Sequence, residues 1–454
     1  MYIGNYDGNV YAVNPDGTLK RIYATGGWVR SSPVIDGTHL YVGSNDQQLY
    51  AFDIGAAAAN SPWPMYQFAS TRPGRYIDFA ALPHITASPQ ATSLSAGSTL
   101  SLSVSATGSG LTYQWRRNGV ALDTSLYPSA NTATLALPCA QASDSGTYDC
   151  FVSNSTGGTV SAGASVTIIA ASNAVNNAQL IAISGRSYVG TGTQVLVAGF
   201  VISGTTPKTV LVRASGPALG PQGVSTFLPD PELQLFKITN GTAQMIDQNT
   251  GWGNNTNAAA IKAEAAALHD FAWPDGSADS ALLVTLAPGL YTAQVSGASG
   301  DTGTSLVEVY DGDTPSTAPR LVDISLRSKV GTDTNVQVAG FVISGTKPKT
   351  VLIRAGGPAL ATQGISDYLP DPVLVLYDHN SIAIRKNKGW STNATDASAI
   401  LAAGSRLGAY TWADGSADSA LLVTLPPGLY TAQVSGASGD TGVDLLEVYD
   451  ADTQ

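Results

Sequence analysis

The chain is poor in charge and poor in the residues that do chemistry. Of 454 residues, 22 are Lys or Arg and 33 are Asp or Glu, or 12% together, against about 25% in an average soluble protein. The net charge of −11 argues against a nucleic-acid surface or an anionic membrane face. No apolar run approaches the ~20 residues that span a bilayer, and a hydrophobic content of 43% is too high for a disordered chain.

Catalytic signatures are missing as well. The four histidines are His39, His84, His269 and His379, and none lies in a His-Glu-x-x-His motif. No Gly-x-Ser-x-Gly elbow and no helix-opening Gly-x-Gly-x-x-Gly is present, and the two cysteines lack zinc-site spacing. We therefore predict a protein that is not an enzyme. A hidden pair of carboxylates of the glycosidase kind is the alternative that stays open.

Two stretches near the N-terminus repeat each other with a period of 39 residues. Residues 2–13 read YIGNYDGNVYAV, and residues 41–52 read YVGSNDQQLYAF. Each is an apolar strand, an Asp-containing turn and a second strand, and such a hairpin must stack on like neighbours to cover its apolar face. The pattern resembles the quinoprotein-type β-propeller repeat. We assign residues 1–78 to partial propeller blades.

The number of these hairpins is small, because a propeller typically needs 4–8 blades of four strands. We therefore expect Met1 to be an arbitrary start within a longer propeller, which would also account for the missing signal peptide. The alternative is a complete chain with a partly exposed N-terminal sheet. We expect no quinone, since the funnel that holds this cofactor needs many blades.

Residues 79–170 carry the pattern of an antiparallel sandwich. Apolar residues alternate with serines over residues 100–104, which predicts a half-buried strand, and Asn118-Gly119 predicts a hairpin turn. Four further residues of this segment occur in an order that closely resembles the immunoglobulin family: Trp115, Asp144, Tyr148 and Cys150. The resemblance implies that the Trp is buried in strand C, that the Tyr forms the tyrosine corner and that the Asp lies in the turn before it.

The cysteines depart from that family. Val104 stands where strand B normally supplies the partner of Cys150, so the usual inter-sheet bridge is absent. The other cysteine, Cys139, follows the presumed strand E, which belongs to the opposite sheet, and bridging needs Cα atoms within ~7 Å. A Cys139–Cys150 disulfide stays open at this point, and so does the redox compartment.

The rest of the chain consists of two copies of one domain, at residues 171–314 and 315–454. Residues 275–303 and 414–442 are the same 29-residue string with one change, from Ala287 to Pro426. Upstream, residues 198–205 recur as residues 339–346, so the offset between the copies is 141, falling to 139 later on. Short β-branched runs bounded by Gly and Pro predict strands. The joint is expected at residues 314–319.

One alanine-rich stretch in each copy breaks the β pattern. Residues 257–268 predict a short helix that Thr256 caps, and its counterpart runs from Asp396 to about Leu407. The order of strand, turn and Gly-x-Tyr strand after Asp371 is similar to the prepeptidase C-terminal domains, jelly-roll-like sandwiches of secreted bacterial enzymes. The fold class is therefore all-β: partial blades, an immunoglobulin-like sandwich and two jelly-roll-like sandwiches with one helix each.

Several acidic turns are candidates for calcium, which takes oxygen ligands from turns. They are Asp275 and Asp279, their twins Asp414 and Asp418, and the pairs Asp311/Asp313 and Asp450/Asp452. The simpler interpretation, which we favour, is that Asp-Gly and Asp-x-Asp form turns that bond their own backbone. No other cofactor is predicted.

Two aromatic and two basic residues have alternative interpretations. Trp273 and Trp412 are candidates for a sugar-stacking platform, but we favour core packing. Arg213 and Arg354 are candidates for an anion site, but we favour structural ion pairs with Asp230 and Asp371.

The composition and the modular pattern predict a non-catalytic multidomain protein that spaces and presents binding surfaces. Its expected place is the cell surface or the extracellular medium, and its expected partner is a polysaccharide or a cell-surface protein, with no nucleic acid and no membrane span. The alternative is the accessory C-terminal region of a secreted enzyme whose catalytic domain lies upstream of Met1. Genomic DNA upstream would discriminate the two, by encoding further blades or a hydrolase.

Overall fold

The computed structural model describes residues 1–14, 16–36, 38–55, 82–124, 126–170, 178–192, 194–313, 320–333, 335–392 and 394–452. Within these ranges the protein is built mainly of strands, with few short helices, as the sequence predicts. Neither of the two α-helices found there is long and apolar enough to cross a membrane. The predicted joint at residues 314–319 lies outside the described residues.

The chain forms two compact units. The first comprises Met1–Ala87, Val104–Tyr113 and Cys150–Ser161. The second comprises Ser88–Ser103, Gln114–Asp149 and Ala162–Gln454. The immunoglobulin-like segment thus contributes strands to both units.

The first unit begins with two three-stranded antiparallel sheets, in the orders β1-β2-β3 and β4-β5-β6. The strands are β1 Tyr2–Gly4, β2 Asn9–Val13, β3 Leu19–Ala24, β4 Val34–Asp36, β5 His39–Gly43 and β6 Leu49–Asp53. The Tyr50 hydroxyl donates to the Asp46 carboxylate at 2.7 Å, and the Tyr11 hydroxyl donates to Asp7 in the equivalent turn. The repeated sequence therefore forms repeated hairpins, and both sheets contribute to one apolar cluster.

Ten strands form the immunoglobulin-like segment. They are β7 His84–Ala87, β8 Thr92–Ser95, β9 Leu100–Ser103, β10 Ser105–Thr107, β11 Thr112–Arg117, β12 Val120–Ala121, β13 Thr134–Leu137, β14 Gly146–Ser153, β15 Gly158–Val160 and β16 Ala164–Ile169. In the first unit β7 pairs with β10, and the end of β14 pairs with β15. In the second unit β9 pairs with β13, β11 with β12, and β16 lies between β14 and β8. Asn118 and Gly119 both have positive φ, as the predicted hairpin turn requires.

In the described part of each repeat copy there are eight strands and one α-helix. Copy 1 contains β17 Gln179–Val189, β18 Leu196–Ser203, β19 Lys208–Ser215, β20 Pro231–Thr239, β21 Thr242–Thr250, α1 Ala258–Ala267, β22 Ser280–Leu286, β23 Gly289–Gly297 and β24 Gly303–Asp311. Copy 2 contains β25 Arg320–Val330, β26 Gln337–Ser344, β27 Lys349–Gly356, β28 Pro372–Asp378, β29 Ala383–Lys388, α2 Ala394–Leu407, β30 Ser419–Leu425, β31 Gly428–Gly436 and β32 Gly442–Asp450. Asn257 is the N-cap residue of α1 and makes no side-chain cap bond, so Thr256 is not the cap.

The first strand of each copy pairs with the second strand of the other copy. One row of eight strands runs β21-β20-β23-β18-β25-β32-β27-β30, and the other runs β29-β28-β31-β26-β17-β24-β19-β22. Each row therefore takes four strands from each copy. The rows touch where β17 and β25 run parallel, at Leu180–Leu321 and Tyr188–Lys329, so all sixteen strands form one hydrogen-bonded sheet.

The apolar core is shared in the same way. One cluster of buried residues runs through both copies, and it includes the stacked pairs Phe200–Tyr291 and Phe341–Tyr430, each with ring centroids 5.6 Å apart. The two copies therefore do not close over separate apolar interiors. Period-2 alternation shows which face of a strand is buried, but it does not show which strand lies at its edge.

Glycines mark where β17 and β25 pass close to the other copy. A Cβ on Gly199 would lie 2.4 Å from the Ser325 hydroxyl, and a Cβ on Gly340, its counterpart, would lie 2.6 Å from that of Ser184. At the equivalent positions 185 and 326 the symmetry is broken. The Leu326 side chain occupies the space beside Gly185, where a Cβ would lie 2.3 Å from the Leu326 methyl group.

Candidate ligand cavities beside the two helices

Each copy has a cavity between its helix and the loop that follows it. Helix cavity 1, in copy 1, measures 150 Å³. Helix cavity 2, in copy 2, measures 450 Å³. Equivalent residues line both cavities, among them Arg213/Arg354, Trp252/Trp390, Ile261/Ile400, Phe271/Tyr410 and Trp273/Trp412.

A buried arginine forms one wall of each cavity. Arg213, on β19, is 2% exposed, and its guanidinium carbon lies 4.0 Å from the centre of the Trp273 ring. Its Nη2 donates to the Phe271 carbonyl oxygen at 3.0 Å. Arg354, on β27, repeats this arrangement, with 4.0 Å to the Trp412 ring centre and 2.7 Å to the Tyr410 carbonyl oxygen. A desolvated guanidinium over an indole is a favourable cation–π pair.

The carboxylates that face these arginines differ between the copies. Arg213 is in ionic contact with Asp270 and lies 3.7 Å from Glu308. Arg354 lies 3.2 Å from Glu447, the counterpart of Glu308. Burial raises the pKa of both glutamates, and the facing guanidinium opposes that rise. The predicted kind of interaction, a structural ion pair, is thus present.

The predicted partners of these arginines are wrong. Asp230 and Asp371 directly precede β20 and β28, which lie in the opposite row from β19 and β27 respectively. The Asp371 carboxylate instead accepts from Lys388 at 3.0 Å. Sequence spacing could not show this, because the strand exchange decides which loops lie near each arginine.

Trp412 belongs to a buried core cluster, and the partly buried Trp273 packs against another, which is the interpretation we favoured. Both also line the cavities. Trp412 is 6% exposed and contacts Trp390 edge-to-face, with ring centroids 6.3 Å apart. Trp273 contacts Trp252 in the same way at 6.2 Å. The indole rings are therefore structural elements whose remaining surface faces a cavity.

The four calcium candidates have two different environments. Asp279 and Asp418 are fully buried; the Asp279 carboxylate accepts from the Gly216 and Ala218 backbone N–H groups, at 2.6 and 3.2 Å, and Asp418 accepts from the Ala359 N–H at 3.1 Å. Asp275 lies on the surface beside Lys262, and Asp414 is exposed. Among the described residues no group of three or more His, Cys, Asp or Glu could hold a metal ion. Calcium binding at these turns stays the less favoured alternative to a purely structural turn.

The acidic pairs at the end of each copy surround a buried ammonium group. The Lys208 Nζ donates to Asp311 at 2.5 Å and to Asp313 at 3.4 Å. In copy 2 Lys349 donates to Asp450 at 2.7 Å and to Asp452 at 3.1 Å. These carboxylates neutralise a lysine that is 1% exposed, which accounts for the Asp-x-Asp spacing without a metal.

The residues singled out in the immunoglobulin-like segment lie in buried, hydrogen-bonded environments. Trp115 is fully buried and its indole N–H donates to the Thr132 carbonyl oxygen at 2.9 Å. The Tyr148 hydroxyl donates to the Asp144 carbonyl oxygen at 2.7 Å, which is the tyrosine-corner bond. Burial raises the pKa of Tyr148 to about 12.

Neither cysteine forms a disulfide. Cys150 is fully buried on β14, and its N–H donates to the Ser161 hydroxyl at 2.9 Å. Cys139 is also buried, and burial raises the pKa of its thiol. Val104, at the position of the missing family partner, is buried and follows the last residue of β9 in the sequence.

Asp144 has a second role that the sequence did not predict. Its carboxylate accepts from Arg385 of copy 2 at 2.7 Å and from Arg117 at 3.0 Å. The Gln141 side chain also reaches copy 2, where its Oε1 accepts from the Thr424 N–H at 2.7 Å and its Nε2 donates to the Thr424 carbonyl oxygen at 2.8 Å. We call these contacts the Asp144–Arg385 joint.

The two cavities also differ in one hydroxyl group. In copy 1 the Trp273 indole donates to the Ser215 hydroxyl at 3.1 Å. Copy 2 has Gly356 at the position of Ser215, and a Cβ there would lie 2.4 Å from the Tyr410 hydroxyl. The tyrosine hydroxyl thus fills the space that the serine side chain occupies in copy 1.

We expect Gly356→Ser alone to lower the free energy of unfolding by about 1–3 kcal/mol, because it overpacks this site. Adding Tyr410→Phe recreates the copy 1 pair and should restore stability to within about 1 kcal/mol. Urea denaturation of the three chains measures this. If Gly356→Ser leaves the free energy of unfolding unchanged, the Tyr410 hydroxyl does not occupy the space that the serine side chain needs.

Comparisons with known proteins identify one segment of the chain. Residues 83–154 match the family model of an immunoglobulin domain, and no catalytic family is indicated. No curated protein matches the chain.

Solved structures that match include the D1 domain of Duf (Kirre), at 18% identity over 20% of this chain and 99% of that one, with a TM-score of 0.18. Titin M4 matches at 22% identity over 19% of this chain and 95% of that one, with a TM-score of 0.17. The tandem immunoglobulin repeats of Dlar match at 18% identity over 38% of this chain and 81% of that one, with a TM-score of 0.20.

Proposed function

We propose that this protein is a non-catalytic binding and scaffold protein of the cell surface or the extracellular medium. In this proposal the N-terminal hairpins are blades of a quinoprotein-type propeller, and the repeat copies are jelly-roll-like modules. The expected partner is a polysaccharide or a cell-surface protein. The immunoglobulin-domain match supports a binding role, because such domains commonly bind proteins and occur at cell surfaces.

The observation that carries the scaffold role is the Asp144–Arg385 joint. Arg385 is 6% exposed, and besides the Asp144 carboxylate it reaches the Cys139 carbonyl oxygen at 2.5 Å. A buried, charge-assisted contact of this kind fixes the immunoglobulin-like strands of the second unit against copy 2. Modules that are fixed in this way hold their binding surfaces at a constant distance.

We expect Arg385→Met to lower the free energy of unfolding by about 1–3 kcal/mol, since it leaves the Asp144 carboxylate and a buried carbonyl with fewer partners. Lys386→Met is the matched control, because the neighbouring Lys386 is exposed. The readout of rigidity is the distance between spin labels at Ser101→Cys and Lys347→Cys in the full chain. Both sites are exposed, whereas the native cysteines are buried.

A single narrow distance distribution supports a rigid scaffold, and it should broaden in Arg385→Met but not in Lys386→Met. A broad distribution in the unmodified protein would rule out the scaffold role. The binding role is tested separately, by titrating the full chain with polysaccharides and cell-envelope fractions. The absence of binding at millimolar ligand would count against it.

A further inference from the structure

Helix cavity 2 is three times the volume of helix cavity 1, and particular residues account for this. Asp270 and Ala265, which line helix cavity 1, are replaced by Ala409 and Gly404 in copy 2. Both changes remove side-chain atoms, and both positions in copy 2 line the cavity. Part of the added volume is therefore space that copy 1 fills with its own side chains.

The largest change removes a carboxylate from beside the arginine. Asp270 is 3% exposed at its side chain and is in ionic contact with Arg213. In copy 2 the corresponding residue is Ala409, and Glu447 is the carboxylate within 4 Å of Arg354 in the described part of the chain. The Arg354 side chain is 4% exposed and lines the cavity, and the Trp412 indole Nε1, whose residue also lines it, has no hydrogen-bond partner among the described residues. Buried polar groups without partners are rare in proteins.

The two arginines face different numbers of carboxylates. Within 4 Å, Arg213 faces two carboxylates, whereas Arg354 faces one in the described part of the chain. Asp323 interacts electrostatically with Glu447, but burial raises the pKa of its carboxyl to about 8, so this group is mainly neutral at pH 7. Burial also raises the pKa of Asp444, which interacts with Glu447 in the same way. A bound carboxylate beside Arg354 would reproduce the charge arrangement of copy 1.

We infer that helix cavity 2 binds a small ligand bearing a carboxylate, which contacts Arg354 where Asp270 stands in copy 1. The ring or apolar body of the ligand packs against Trp412 and Tyr410. This inference deepens the proposed binding role and rests on it. In copy 1 the Asp270 side chain occupies the equivalent site, so a single site per chain is expected.

The walls of the cavity indicate the rest of the ligand. Aromatic rings and the aliphatic residue Ile400 line it, and Leu401, which is 47% exposed, lies at its rim. A volume of 450 Å³ lies within the ≈ 300–1,000 Å³ of small-molecule sites. A uronic acid unit of an acidic polysaccharide and a free aromatic acid share the required chemistry, which is a carboxylate on a ring.

The experiment is calorimetric titration of the full chain with galacturonate, benzoate and the neutral sugar galactose. We expect one site for a carboxylate-bearing probe and none for galactose. Binding of galacturonate alone assigns the source to acidic saccharides, whereas binding of benzoate as well assigns it to ring carboxylates in general. Equal binding of galactose and galacturonate, or no binding of either acid at millimolar concentration, overturns the inference.

Two reciprocal variants test the site without removing the arginine. Ala409→Asp restores the copy 1 carboxylate and should weaken binding by about tenfold or more, since it competes for the same guanidinium. Asp270→Ala combined with Ala265→Gly gives copy 1 the residues of copy 2 at both positions and should add a second, weaker site per chain. Unchanged binding in Ala409→Asp overturns the inference. If polysaccharides or cell envelopes bind the chain equally with and without Ala409→Asp, the proposed function stands and the cavity assignment fails.

Discussion

A chain that carries both Gly185→Leu and Leu326→Gly is expected to keep most of its stability, although either change alone is strongly destabilising. Gly185→Leu places a side chain into the space of a buried leucine and should cost about 3 kcal/mol. Leu326→Gly leaves a cavity in the shared core and raises the conformational entropy that the backbone loses on folding. It should lower the free energy of unfolding by about 4–5 kcal/mol. The double variant should recover more than half of the summed loss.

The reason lies in the equivalence of positions 185 and 326. Each is the seventh residue of the first strand of its copy, and β17 and β25 pair with equivalent neighbours in the two rows. Exchanging the two residues therefore moves the leucine side chain to the other side of the same gap, where it meets the same kind of surroundings.

Urea denaturation of the two single variants and the double variant gives the coupling free energy. If the double variant loses as much as the two single variants together, the two positions do not share one space. The control is Leu401→Ala, because Leu401 is exposed. A glycine with a positive φ, such as Gly192, does not serve as a control, since a side chain there strains the backbone.

Asp323→Ala should stabilise the protein in alkaline solution, by up to about 5 kcal/mol above pH 8. Asp323 lies on β25 with one carboxylate oxygen buried and without a hydrogen-bond partner, and its counterpart in copy 1 is Ala182. Burial and the neighbouring Glu447 raise the pKa of the Asp323 carboxyl to about 8. Each tenfold change in an acid constant corresponds to about 1.4 kcal/mol.

The direction of the pH dependence follows from proton binding. In the unfolded chain this carboxyl has a pKa near 3.9, so between about pH 4 and pH 8 the folded protein holds the extra proton. Raising the pH in this range therefore destabilises the folded protein relative to the Asp323→Ala variant, and the difference levels off above pH 8. Below pH 4 the penalty is absent.

Thermal and urea denaturation at pH 4, 6, 8 and 9 measure the effect. Ala182→Asp, which introduces a carboxyl at the equivalent position of copy 1, is the reciprocal variant and should lose stability as the pH rises. A stability difference between Asp323→Ala and the unmodified chain that is the same at all four pH values would show that the carboxyl does not titrate in the fold.

The sequence predicted the features that depend on local pattern. The period-2 runs, the Asn118-Gly119 turn, the internal repeat and the alanine-rich helices all follow from neighbouring residues. The resemblance to the immunoglobulin family implied the tyrosine corner of Tyr148, whose hydroxyl donates to the Asp144 carbonyl oxygen four residues upstream.

The candidate cavity was not predictable in the same way. Arg213 meets Asp270, which lies 57 residues further along the chain, and the pairing depends on where α1 ends against the sheet. One signal was present, however. Asp270 and Ala409 differ between otherwise similar copies, and so do Ser215 and Gly356. Differences between the copies, more than their identities, indicate where they have specialised.

The strand exchange sets a limit on how this chain can be divided. A polypeptide that carried a single copy would leave the outer edge of its first strand and one side of its second strand without hydrogen-bonding partners. Two such molecules would satisfy each other by the same pairing, with matching surfaces across a twofold axis. The tandem repeat is thus equivalent to an isologous homodimer whose subunits have been fused. Cutting the chain between the copies, at residues 314–319, should give two halves that associate instead of two independent monomers.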